Sequence, residues 1–98
     1  MSNNFIPAKV FCAHYQIEYA LIYSLQESGL VQVSGPEEEP VIDEDELPNV
    51  ERMVRMHEDL GINIEGIEAI MPLLDKIEKM QTEMNAMRNR LRLFNFPE

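Results

Sequence analysis

Ile70, Leu73, Ile77, Met80, Met84, Met87, Leu91 and Phe94 recur at alternating steps of three and four. This is an unbroken a/d heptad seam, and such a stripe needs a covering surface to be stable. A helix from Pro72 to Phe94 would run about 35 Å at roughly 1.5 Å per residue. Pro72 is expected at its start, where the missing N–H costs little. The cover can be a second copy, the chain's own head or another protein. A homodimer would use Ile77, Met80, Met84, Met87 and Leu91. The three methionines among these soften the seam, because Met packs adaptably and specifies geometry poorly. Arg88, Arg90 and Arg92 either flank the pairing or solubilise its end.

Upstream of the seam, Pro7 precedes AKVFCAHY, which reads as a short helix over residues 8–15 with Val10, Phe11 and Cys12 facing inward. After a break near Gln16, residues 17–28 form a second helix, with Ile17, Leu21, Ile22 and Leu25 at helical spacing. Gly29 supplies the left-handed stop and Leu30 the capping hydrophobe. Two short helices joined by a tight turn make a helix-turn-helix. Val31-Gln32-Val33 and Val41-Ile42, separated by Ser34-Gly35-Pro36 and three glutamates, read as a β-hairpin wing. A two-stranded hairpin is marginal alone and must pack on the helices. The acids of Asp43–Glu46 start a helix over 46–60, with Leu47, Val50, Val54 and Leu60 inward and Met53 and Met56 nearby. Gly61 closes it, and Asn63 caps a short helix over 64–71. The expected division is therefore a winged helix-turn-helix head over 1–71 and a coiled-coil helix over 72–98, in a mainly α fold.

Charge is distributed unevenly along the 98 residues, whose net charge is −10. Residues 1–71 hold fourteen acids against three bases, Lys9, Arg52 and Arg55. Such a head repels nucleic acid and anionic membrane and attracts a basic protein surface. The single cysteine, Cys12, rules out an internal disulfide framework and fits a reducing cytosol. No basic region followed by a long apolar run marks a signal peptide. No apolar run approaches the ~18 residues of a transmembrane helix. A cytoplasmic location is expected.

Leu25-Gln26-Glu27-Ser28-Gly29-Leu30-Val31, then Glu51 to Leu60 (ERMVRMHEDL), Gly61-Ile62-Asn63-Ile64-Glu65-Gly66-Ile67 and Arg88-Asn89-Arg90-Leu91 stand in an order that resembles the CbpM chaperone-modulator family, a branch of the MerR-like winged helices. The resemblance spans about residues 5 to 94, and its second half is the more specific. It implies that the chain binds the J-domain of a DnaJ-like, CbpA-type co-chaperone and blocks its stimulation of Hsp70. A J-domain carries a basic helix, which an acidic competitor would suit.

The MerR-like fold also implies an alternative, a transcriptional regulator that contacts DNA. Affinity for DNA rests on Lys and Arg neutralising phosphates. The recognition-helix segment 17–28 has neither, and the wing carries Glu37, Glu38 and Glu39. Protein binding is therefore the preferred reading. Tyr15, Tyr19 and Tyr23 lie at i, i+4 and i+8, and tyrosine is common at binding hot spots. The expected contact residues are Glu18, Tyr19, Tyr23, Gln26 and Glu27. A bland reading makes the tyrosines core and the acids solvated surface. A third makes the chain an adaptor working only through its coil. Cys12, His14 and His57 lack metal-site spacing. No nucleophile stands beside an evident base. Neither a cofactor nor enzymatic activity is expected.

Overall fold

The computed structural model describes residues 4–94. Along the chain run β1 (Phe5–Pro7), α1 (Ala8–Tyr15), α2 (Tyr19–Glu27), β2 (Val33–Ser34), β3 (Val41–Asp43), a 3-10 turn (Glu44–Glu46), α3 (Leu47–Leu60) and α4 (Ile64–Leu93). Two compact units divide it, the first ending at Glu68 and the second beginning at Ala69. The fold is mainly α, with a helix-turn-helix followed by a wing.

In the first unit, α1 begins at Ala8 because Pro7 holds extended backbone (φ −57, ψ 134) and ends the strand before it. The Ala8 N–H donates to the Pro40 carbonyl at 2.9 Å, tying the helix start to the wing. Gln16 ends α1 in the left-handed region at φ 56, and the Ile17 N–H donates back to the Cys12 carbonyl at 3.0 Å. A side chain at that φ is strained, and glycine is not. Gln16→Gly is therefore expected to stabilise the protein by about 0.5–1 kcal/mol. Thermal unfolding should show a rise of a few degrees, and a fall would mean that the Gln16 side chain makes a compensating contact.

At the end of α2 the Gly29 N–H reaches the Gln26 carbonyl and the Leu30 N–H reaches the Leu25 carbonyl, each at 2.9 Å. With Gly29 at φ 79, this is the paired bonding of a Schellman cap. Ile22 and Leu25 are fully buried, while Ile17 and Leu21 are half-buried.

The expected hairpin forms from β2 and β3, and a third strand, β1, adds to it. Strand order is β1-β3-β2, all antiparallel, so β3 is central. Ile42, fully buried, pairs with Ile6 on one side and Val33 on the other. The third strand supplies the support that a lone hairpin lacks. Val31, expected to start β2, is buried just ahead of it in a bend. Gly35, at φ 84, has the Glu39 carbonyl 3.2 Å from where a Cβ would stand, so the turn has little room for a side chain.

Asp43 caps the 3-10 turn, its carboxylate accepting from the Asp45 N–H at 2.8 Å. Pro48 sits in the first turn of α3, where no helical N–H is lost. Val50, Met53, Val54 and Met56 are the buried face of this helix. Leu60, expected inward, is 70% exposed, because the buried stripe ends one turn earlier at Met56. Val10, also expected inward, is 56% exposed. In α1 the buried positions are Ala8, Phe11 and Cys12, spaced i, i+3, i+4, and Val10 lies off that face. Gly61 closes α3 at φ 69.

Asn63 caps α4 as expected, its Oδ1 accepting from the Gly66 N–H at 2.8 Å. The separate short helix over 64–71 is not formed. One helix runs from Ile64 to Leu93 with Pro72 inside it. Proline removes one intrahelical bond and costs about 3 kcal/mol in a helix interior. The cap at Asn63 and the long run of good helix formers from Leu73 onward outweigh that local cost.

Candidate protein-binding surface

The outer face of α2 and the wing enclose a cleft of about 350 Å³. Tyr19, Tyr23, Gln26 and Glu27 form its helical side, and Val33, Ser34, Gly35, Pro36, Glu37 and Pro40 its wing side. Tyr23 is 52% exposed and Tyr19 38%. Four of the five expected contact residues thus meet in one place. The fifth, Glu18, is the exposed residue preceding α2 and does not line the cleft.

A second cleft of about 500 Å³ adjoins the first through Tyr19, Glu37 and Pro40, which line both. Pro7, Val10 and Val41 add apolar wall, Glu38 and Glu39 add charge, and Lys9 is its single base. The two clefts form one trough with an acidic rim, mainly polar beside α2 and mainly apolar between α1 and the wing. Such a rim steers a basic partner and raises its on-rate, an effect that salt weakens. The wing half of this surface was not legible in the strand pattern, since Ser34-Gly35-Pro36 read only as turn chemistry.

Tyr15 separates from the other two tyrosines. Its hydroxyl donates to the Glu51 carboxylate, and its ring lies 4.6 Å from Phe11 and 4.7 Å from His14. The left-handed turn at Gln16 interrupts the helix, so i, i+4 spacing from Tyr15 to Tyr19 does not place the two on one face. Cys12 is buried, and burial pushes its thiol above the ordinary range, which keeps it protonated at neutral pH. Among the described residues no three His, Cys, Asp or Glu side chains come together as a metal site would need.

In the second unit, Ile77, Met80, Met84, Met87 and Leu91 are each between 50% and 60% exposed. Regular helix brings these residues onto one apolar face, as their spacing implied.

A helix-turn-helix whose recognition helix presents tyrosines and an acid, with no lysine or arginine, defines a regulatory module of the winged-helix class. The chain belongs to the MerR HTH family of regulatory proteins, whose model matches residues 6–89. Within it, the chain is similar to chaperone modulatory protein CbpM of Pseudomonas putida strain F1, 26% identical over 90 residues, 91% of this chain and 89% of that protein. CbpM of Pseudomonas entomophila strain L48 is 24% identical, and that of Pseudomonas putida strain KT2440 25%, over the same shares. The resemblance to the CbpM family is borne out. No solved structure matches the chain. No helix among the described residues is long and apolar enough to cross a membrane.

Proposed function

We propose that this chain is a cytoplasmic, non-enzymatic chaperone modulator that binds the J-domain of a DnaJ/CbpA-like co-chaperone and inhibits its stimulation of Hsp70. The observation that carries this reading is the cleft where Tyr19, Tyr23, Gln26 and Glu27 face the wing with no lysine or arginine among its lining residues. The relatives named CbpM supply the chaperone context. Tyr19 and Tyr23 act as the apolar anchors, and Glu18, Glu27 and the wing glutamates as the charged rim. The seam of Ile77, Met80, Met84, Met87 and Leu91 pairs with a second copy as a coiled coil, so the chain acts as a homodimer.

Calorimetric titration with the host's CbpA-like J-domain at two salt concentrations tests this reading. Saturable binding that weakens with salt is expected. Tyr23→Ala should weaken it by roughly tenfold to thirtyfold, as the loss of an aromatic anchor does. No heat at either salt from a folded sample would sink the proposal.

Membership in the MerR family favours one alternative, a DNA-binding transcriptional regulator. The base-free face of α2 and the exposed glutamates 37–39 oppose it. Salt-dependent binding to duplex DNA with no response to the J-domain would reverse the preference.

A further inference from the structure

A third cleft of about 440 Å³ lies among β1, α1 and the start of α3, outside the contact residues of the proposed function. Val10, Leu47 and Pro48 give it apolar wall, and Glu44 and Glu51 line it with carboxylates. No lysine or arginine is among its lining residues. Val10, 56% exposed, also lines the neighbouring trough.

Glu51 is held firmly at one oxygen and weakly at the other. Its Oε2 accepts the Tyr15 hydroxyl, while its Oε1 lies 3.8 Å from an Arg55 guanidinium whose side chain is 68% exposed. An exposed pair at that distance contributes little and yields readily to a competing cation. Glu44 accepts from the Asn4 side chain at 3.3 Å, a long bond that leaves acceptor capacity at its carboxylate. The site thus joins an apolar wall and two carboxylates. Arginine matches both features: its methylene stem suits the wall, and its planar guanidinium suits the carboxylates.

We propose that this cleft is a second contact subsite and receives an arginine side chain of a protein partner, with Glu51 accepting the guanidinium and Val10, Leu47 and Pro48 packing on its stem. The proposal rests on the protein-binding reading above only for the origin of that arginine. A partner seated in the trough would reach the cleft across Val10, which belongs to both.

The test is amide NMR of the full chain titrated with Nα-acetyl-arginine methylamide, against the uncharged citrulline analogue. Saturable shifts centred on Val10, Leu47 and Glu51 are expected with the arginine probe. Glu51→Gln should weaken its binding about tenfold, while still able to accept the Tyr15 hydroxyl. Glu44→Gln, at an exposed position, is the second variant and should weaken it several-fold. Shifts that are absent, that persist unchanged in both variants, or that citrulline reproduces would overturn the proposal. Titrating the J-domain into the same variants separates the two readings. Weaker binding by Glu51→Gln supports both, and no J-domain binding to wild type removes the co-chaperone while the arginine probe still decides the cleft.

Discussion

Under the proposed pairing, a Met84→Asp variant is expected to sediment as a monomer at concentrations where the unaltered chain sediments as a dimer. Met84 is central in the seam and 56% exposed in the single chain, so pairing would bury it. In the coil it would stand against apolar side chains of the second copy, where a carboxylate has no partner and is costly to desolvate. Self-association should weaken by at least ~100-fold, about 2.7 kcal/mol. Sedimentation equilibrium measures this directly. Asn85→Asp adds the same charge one residue away, outside the heptad seam, and should leave the dimer nearly intact. Equal dimerisation by Met84→Asp and wild type would remove this face of α4 as the interface.

Leu25→Ala carries the largest expected effect on stability. Leu25 is fully buried on the inner face of α2, and its carbonyl accepts the Leu30 N–H that closes the helix. Truncating a buried leucine costs about 2–5 kcal/mol, because the lost apolar burial adds to the cavity left behind. In a domain of this size each 1 kcal/mol moves the melting temperature by roughly 4–8 °C, so a fall of roughly eight degrees or more is expected. Tyr23→Ala, two residues earlier on the same helix, removes a half-exposed ring and should leave melting within about 0.5 kcal/mol of wild type. Thermal unfolding and J-domain titration on the two variants should therefore separate. Leu25→Ala loses stability, while Tyr23→Ala loses affinity. A Leu25→Ala protein that melts like wild type would contradict the burial of Leu25 in the core.

These two residues illustrate what was legible before folding. Ile22 and Leu25 share the inner face by helical spacing alone, and Gly29 stops α2 through a bond pattern that spans only a few residues. Asn63 and Gly61 likewise announce a helix start and stop through contacts within one turn. The bounds of α1, Ala8–Tyr15, follow from the proline before it and from local pattern. The acidic, base-free recognition helix is a matter of composition, and it was enough to turn the functional reading from DNA toward protein.

Pro72 marks the limit of local rules. A proline after a short periodic segment reads as a boundary, yet α4 continues through it because the flanking helix outweighs one lost hydrogen bond. Strand β1 has only three residues and no alternation to detect, and it exists because β3 pairs with it from across the head. Tyr15 left the tyrosine stripe because Gln16 turned the chain and Glu51, 36 residues away, accepted its hydroxyl. Val10 faces solvent because Ala8, Phe11 and Cys12 take the buried face of α1. The sequence by itself determined α1, α2 and α3, the caps at Gly29, Gly61 and Asn63, the apolar seam of α4 and the sign of the recognition face, since each depends on local pattern along the chain. Only the tertiary structure decided the third strand and the three clefts, because these depend on side chains brought together from distant parts of the chain.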